Sequence, residues 1–270
     1  MTTLSKTQAT LLNKLREDCK ADDLSLNPPA TMAAMDARYS FSSTRNALAG
    51  LLKEYPETKV FREEFDKRRP EWVKIDTSQV PTEKQEEKHV DWLQLLTWRT
   101  DNWESMNPQE QLLISLYTMM PPQRADFAQM RIVTRKPKKL ADGTNYLIMG
   151  KSTMKFLFHA YKTAATFGDR EIILPAALQR VVKSWVESRP GQPFLLGDGE
   201  TPWQDQRLGA AVRRIFQQHH GMDTGISTLR HSYLTHYHRG SKSLAELTKL
   251  SRSMGHSITT GLAYRHISLE

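Results

Sequence analysis

Three short phrases near the C-terminus gather side chains suited to chemistry on an anionic ester: Ser227-Thr228-Leu229-Arg230-His231-Ser232, Met254-Gly255-His256-Ser257 and Tyr264-Arg265-His266. A guanidinium forks two N–H donors onto an anion and stays charged at any working pH. An imidazole exchanges protons near neutrality, and a phenol is a nucleophile once its proton has somewhere to go. The single cysteine, Cys19, excludes an intrachain disulfide and a thiolate metal site. His231, His236 and His238 are spaced five and two apart, whereas a metal-binding pair on one helical face needs four. His219-His220 before Gly221 reads as a helix end. With no glycine-rich loop to cradle a phosphate, no nucleotide cofactor is expected, and no metal.

The elements that must position these groups follow from periodicity and caps. Short helices are expected around Ser5–Cys19, around Pro29–Arg38, after a Ser42-Ser43 cap with Leu48, Leu51 and Leu52, and over Val60–Arg69. Arg68-Arg69-Pro70 and the charged, apolar-poor run from Thr77 to Lys88 read as a linker, giving an all-helical domain over 1–80 and a second domain over 81–270. Asn107-Pro108-Gln109-Glu110 is a capping box with proline at the first helical position, opening a helix through Leu112, Leu113, Leu116 and Tyr117 that stops before Pro121-Pro122. Short runs at Arg131–Val133, Tyr146–Ile148, Phe156–Phe158 and Ile172–Leu174, with turns at Asp142-Gly143 and Gly168-Asp169, predict a small antiparallel sheet. Helices resume at Pro175–Ser188, Gln204–His219 and Thr228–His238, and another is capped by Ser243 with Glu246 and closed by Gly255. Trp185 and Trp203 read as core or interface. The fold class is therefore α+β, mostly α: a helical domain followed by a mixed helical domain with a small sheet.

The net charge of +8 is uneven, with 22 Lys and Arg against 14 Asp and Glu in residues 101–270 but 12 against 10 in residues 1–70. A basic domain is the footprint of a polyanion binder, because neutralising phosphates releases condensed counterions. Arg135-Lys136-Pro137-Lys138-Lys139 is a concentrated case; a nuclear-import patch is one reading, and a phosphate-contacting loop the more economical one. No apolar run reaches the roughly 20 residues of a membrane span, and the first residues lack a signal-peptide block, so an intracellular protein is expected.

An arginine opening a helix, a Gly-His after the next helix and a tyrosine eight residues past that histidine resemble the signature of the tyrosine recombinases, the phage integrase and Xer-like family. The resemblance implies an earlier arginine and a hairpin lysine. Arg124, in Met120-Pro121-Pro122-Gln123-Arg124, stands where a helix ends before the sheet, and Lys162, in Tyr161-Lys162-Thr163, precedes a turn and a strand; Lys155 and Lys151 are the alternatives. The phrase Tyr39 to Asn46, including Arg45, resembles the family's DNA-contacting core-binding domain. By this resemblance Tyr264 attacks phosphorus to form a 3′-phosphotyrosine, Arg124 and Arg230 bind the non-bridging oxygens, Lys162 is the general acid, and His256 assists at phosphate or phenol. It further implies double-stranded DNA with inverted arm sites as partner, a homotetramer on DNA, Arg45, Lys136, Lys138 and Lys139 as DNA contacts, and no membrane. The setting would be a virus or mobile element, in a prokaryotic cytoplasm or a eukaryotic nucleus. Taken singly, each residue has an ordinary account as core tyrosine, surface arginine or helix-end histidine. The ordered set is what argues for chemistry.

The chain also departs from the family pattern. Ser227 stands where a histidine is usual, three residues before Arg230, and is expected to cap a helix starting at Thr228 or to donate to phosphate. Asp126 lies two places after Arg124 where an acidic residue is usual at three, and the gap from His256 to Tyr264 is commonly one residue longer. Only six residues follow Tyr264, little of the helix that many relatives exchange, which implies a truncated chain or a different assembly contact. Two rivals remain: a type IB topoisomerase-like relaxing enzyme, and a DNA-binding protein of the same fold that has lost catalysis.

Overall fold

The computed structural model describes residues 3–78, 80–81 and 83–263. The chain divides into two compact units, Met1–Ser78 and Gln79–Glu270. Among the described residues the first unit consists of α1 (Lys6–Cys19), α2 (Pro28–Arg38), α3 (Phe41–Glu54) and α4 (Lys59–Ser78). Ser5 and Gln8 form a reciprocal capping box at the start of α1, and the Asn27 side chain caps α2 ahead of Pro28 and Pro29. Leu12, Leu15, Met35, Leu48, Leu51 and Phe61 close the core.

Two sequence expectations fail here. The third helix starts at Phe41, ahead of the Ser42-Ser43 pair, and has no side-chain cap. The fourth does not stop before Pro70 but runs through it to Ser78. Trp72, in the turn after that proline, is 2% exposed and packs edge-on against Phe65 and Phe41, with ring centroids 5.4 and 6.1 Å away. Burying one large aromatic with two such contacts contributes about 3–5 kcal/mol, which matches or exceeds the roughly 3 kcal/mol a mid-helix proline costs. Arg68 adds a fork to Asp36, at 2.6 and 2.8 Å.

The second unit is the α+β part; the described residues are mostly α, with a small four-stranded sheet and a two-stranded ribbon. Its elements are α5 (Glu83–Glu87), α6 (Trp92–Asp101), α7 (Pro108–Thr118), β1 (Met130–Val133), β2 (Asn145–Met149), β3 (Met154–Phe158), α8 (Ala164–Phe167), β4 (Arg170–Ile173), α9 (Ala176–Glu187), a two-stranded ribbon of β5 (Gly197–Asp198) and β6 (Thr201–Pro202), α10 (Asp205–His220), α11 (Ile226–Tyr237), α12 (Leu244–Met254) and α13 (Ile258–Ala263). The capping boxes at Asn107 and Ser243 form as expected, and Gly255, at φ +66°, closes α12. The sheet order is β1-β2-β3-β4. β2–β3 and β3–β4 are antiparallel, but β1 and β2 run parallel, Met130 opposite Asn145, so the Asp142-Gly143 turn is not a hairpin turn. The cause is Asn145, whose amide donates to the Asp126 carbonyl at 2.8 Å and so starts β2 at the end where β1 starts. Leu147, Phe156, Phe158, Leu178, Val182, Phe216 and Leu229 belong to one core of sheet and helices.

Candidate active site

Arg124 follows α7 on a segment fixed from both sides. Tyr117 at the end of that helix is fully buried and its hydroxyl donates to the Arg124 carbonyl at 3.0 Å. Gln123, also fully buried, donates to the Pro121 carbonyl at 2.7 Å. Asn145 then joins this segment to the β3–β4 connection. Its amide nitrogen donates to the carbonyls of Asp126 and Ala160, at 2.8 and 2.9 Å, and its oxygen accepts from the backbone N–H of His159 and Ala160, at 2.9 and 2.8 Å. All four hydrogen-bonding capacities of the amide are used, which locks the geometry.

Lys162 lies on that connection, exposed, in the turn before α8. Arg124, Asp126, Asn145, Tyr161 and Lys162 line a common cleft of about 420 Å³. Lys155 is instead drawn toward Glu171, at 3.5 Å, and Lys151 stands exposed in the β2–β3 turn. The connection is closed on itself by Tyr161, whose hydroxyl donates to the Gly168 carbonyl at 2.6 Å. Thr163 ties it to the third segment by donating to the Gly255 carbonyl at 2.6 Å.

Arg230 sits in the second turn of α11, 2% exposed, with Nη1 donating to the Pro122 carbonyl. The helix starts at Ile226 after Gly225, not at Thr228, so the expected role of Ser227 as a cap is corrected. Ile226 packs against the core and draws the helix start forward, leaving Ser227 exposed within the first turn. His231 lies on the same helix, half-buried.

His256 follows the left-handed Gly255, 2% exposed, with its backbone N–H on the Ser251 carbonyl at 3.0 Å. Its Nδ1 stands 3.0 Å from the Ser257 carbonyl, which only accepts, so Nδ1 carries the hydrogen and the neutral ring presents Nε2 as an acceptor. Burial is the main cause that lowers its pKa to about 4, with the charges of Arg230, Arg124 and Arg170 adding to it and the Ser257 bond opposing it. Asp126 is pushed up from the usual carboxylate range, again chiefly by burial, against the pull of Arg170, Arg124 and Arg230. Arg230 and Arg170, 106 and 46 residues beyond Arg124 in sequence, thus both reach its segment, Arg230 through the Pro122 carbonyl and Arg170 through Gln123. Gly261 on α13 completes the enclosure, since a Cβ there would stand 2.9 Å from His256 Cε1.

Arg124, Arg230 and His256 are thus brought together, with Lys162 at the edge of the same region. Tyr264 lies outside the described residues. Arg170, Asn145 and Gln123 escaped the sequence reading, because nothing in their local spacing separates them from other polar residues. Of the expected DNA contacts, Arg45 is exposed on α3, and Lys136, Lys138 and Lys139 are exposed between β1 and β2, with Lys136 held by Glu171 at 2.8 Å. Among the described residues no group of three His, Cys, Asp or Glu side chains is placed to hold a metal ion, and no helix is long and apolar enough to cross a membrane.

No protein-family model matches the sequence, and no curated protein matches it. Eighteen solved chains match the structure. One is the XerH site-specific recombinase bound to difH substrate in a pre-cleavage complex, with a TM-score of 0.61 and 16% identity over 97% of this chain and 75% of that one. The Tn1549 transposon integrase matches in complex with transposon right end DNA, at 0.60 and 13% over 98% of this chain and 91% of that one. It matches again in complex with a circular intermediate DNA, at 0.56 and 15%, covering 99% and 92%.

Proposed function

We propose that this chain, which has the fold of the tyrosine recombinases, is a site-specific DNA recombinase or integrase that cleaves and rejoins strands through a 3′-phosphotyrosine. The observation that carries the reading is that four separate chain segments are tied together at these residues: Arg230 bonds to the carbonyl of Pro122, two residues before Arg124, Thr163 after Lys162 bonds to the carbonyl of Gly255 before His256, and Arg124 and Lys162 line one cleft. A phosphodiester needs such a set. Arg124 and Arg230 neutralise the non-bridging oxygens as negative charge builds there. The Tyr264 phenol oxygen bonds to phosphorus and its proton passes to Nε2 of neutral His256; the bond from phosphorus to the 5′ oxygen breaks, and Lys162 protonates that oxygen. Rejoining reverses each transfer on a new strand.

The first unit, through Arg45, and the loop carrying Lys136, Lys138 and Lys139 are proposed as DNA contacts. Four protomers on paired inverted sites would be the working assembly. The test is covalent capture. A library of nicked duplexes, in which the cleaved 5′ end diffuses away, should yield a denaturation-resistant adduct with the wild-type chain and none with Tyr264→Phe. Adduct with a restricted set of sequences supports a site-specific enzyme, whereas relaxation of supercoils without sequence preference supports a topoisomerase. Retained duplex binding with no adduct across the library leaves only a DNA-binding protein.

A further inference from the structure

Three chain segments bear the catalytic candidates of the described structure outside α11: 123–126, 159–163 and 251–256. One side chain touches all three. Arg170, at the start of β4, is 7% exposed. Its Nη1 donates to Gln123 Oε1 at 3.1 Å and to the Ser253 carbonyl. Its guanidinium carbon lies 4.1 Å from the centroid of the Tyr161 ring and 4.9 Å from that of Phe158. Gln123 immediately precedes Arg124, Tyr161 immediately precedes Lys162, and Ser253 stands three residues before His256. At Gly255 a Cβ would come within 3.0 Å of Arg170 Cζ and of the Tyr161 ring. The bare glycine lets the turn before His256 close down on the guanidinium.

A surface ion pair would be the ordinary account of an arginine on a strand, and it fails. Among the described residues Arg170 has no carboxylate within ion-pair distance, and Nε and Nη2 have no acceptor in hydrogen-bonding geometry. A buried guanidinium so placed is destabilising by itself, so some other property favours it. Nor does it line the cleft that Arg124 shares with Lys162. Arg170 supplies what no apolar residue has, a rigid planar fork that bonds two segments at its edge while a third packs on its face.

Resting on the strand-cleavage reading, we propose that Arg170 is a positioning residue, whose guanidinium sets the spacing of Arg124, Lys162 and His256 around the scissile phosphate without binding it. Displacements of about 1 Å in such groups slow a reaction on the order of a hundredfold.

Arg170→Lys keeps the charge but loses the planar fork, and it is tested by single-turnover cleavage of a nicked substrate at saturating DNA. Expected are a rate constant lowered about a hundredfold, a DNA affinity within about threefold of wild type, and an undiminished final yield of adduct. A merely structural role lowers the yield, which counts competent molecules, and leaves the rate constant of those molecules unchanged; that outcome overturns the proposal. So does a DNA affinity weakened well beyond threefold with the rate constant at saturating DNA unchanged, which marks a phosphate ligand. Should Arg170→Lys fail to fold, Gln123→Glu keeps an acceptor for Arg170 while losing the bond to the Pro121 carbonyl, and Gln123→Met loses both; a rate lowered about tenfold in Gln123→Met beyond that in Gln123→Glu is expected, and equal rates in the two variants overturn the proposal. Wild-type chain that forms no Tyr264-dependent adduct removes the strand-cleavage reading and this proposal together, whereas wild-type adduct with an equally fast Arg170→Lys removes this proposal alone.

Discussion

Two groups of cations in the second unit are built on opposite terms. In one, Arg230 and Arg170 are at most 7% exposed, are fixed by the Pro122 and Ser253 carbonyls, and stand near the buried neutral ring of His256. In the other, Lys136, Lys138 and Lys139 are exposed on the β1–β2 connection. Dehydrated cations at fixed positions are costly while the site is empty and strong when an anion enters, since little solvent or side-chain reorganisation remains to be done. Solvated lysines cost almost nothing to display, act through a screened field, and specify no geometry. On the proposed reading, placement more than charge separates groups that serve the cleavage step from groups that hold a polyanion.

The sharpest way to break this comparison is Arg230→Met. Cleavage should fall by roughly three orders of magnitude in single-turnover assays, while the melting temperature of the DNA-free protein should not fall, because replacing a buried, like-charged neighbour by an apolar side chain is often neutral or stabilising. A stability loss matching the activity loss would show that the cluster serves the fold.

The pH dependence of stability probes the same region at the next scale. His256 titrates near pH 4 when folded and near its ordinary 6.5 when unfolded. Above pH 6.5 it is neutral in both states and contributes no slope. As pH falls from 6.5 to 4 the unfolded chain takes up a proton that the folded chain refuses, so stability falls across that window, by about 3 kcal/mol in all, and then levels off. Asp126, whose folded pKa is raised, works the other way at the acid end. The measurement is therefore a difference: urea unfolding at pH 7 and pH 4.5 for wild type and His256→Gln. The variant should lose most of the slope, and equal slopes in both proteins would remove His256 as its source.

Sequence and structure agree on placement where a feature is carried by a local phrase. Arg230, in Leu229-Arg230-His231, and His256, in Met254-Gly255-His256, stand out because helix start, helix stop and reactive residue lie within a few positions. Caps at Asn107 and Ser243 are legible for the same reason. What escaped is whatever depends on distant partners. Asp142-Gly143 has the chemistry of a hairpin turn, and only the bond from Asn145 to Asp126 reveals that β2 restarts alongside β1. Pro70 reads as a helix stop because the gain from burying Trp72 against α3 is invisible along the chain. Ser227 looked like a cap because the packing of Ile226 is tertiary. Arg170 is the extreme case, one of 38 basic residues with a role set wholly by what converges on it.

Gly261→Ala tests how tightly the buried region is packed. The new methyl would stand 2.9 Å from Cε1 and 3.3 Å from Nδ1 of a ring that is itself enclosed, so the ring or α13 must move. Overpacking of this kind costs about 1–3 kcal/mol, and a larger relative loss is expected in cleavage than in DNA affinity. Unchanged unfolding and unchanged cleavage would mean that α13 is free to shift.

The smallest effects should come from the exposed region, and they differ in kind. Lys138→Ala and Lys139→Ala should each weaken duplex binding about equally for all sequences and lower the slope of log affinity against log salt by about 0.9, with single-turnover cleavage at saturating DNA unchanged. Lys136→Ala should do less, because Glu171 already neutralises that ammonium at 2.8 Å. Glu171→Gln turns the same argument round. It releases Lys136 and Lys155 together and should tighten binding at low salt while steepening its salt dependence. Fluorescence anisotropy on one labelled duplex across a salt series reads all four variants. If Lys138→Ala instead slowed cleavage at saturating DNA, the exposed lysines would share in fixing the phosphate, and the division drawn between the two regions would be wrong.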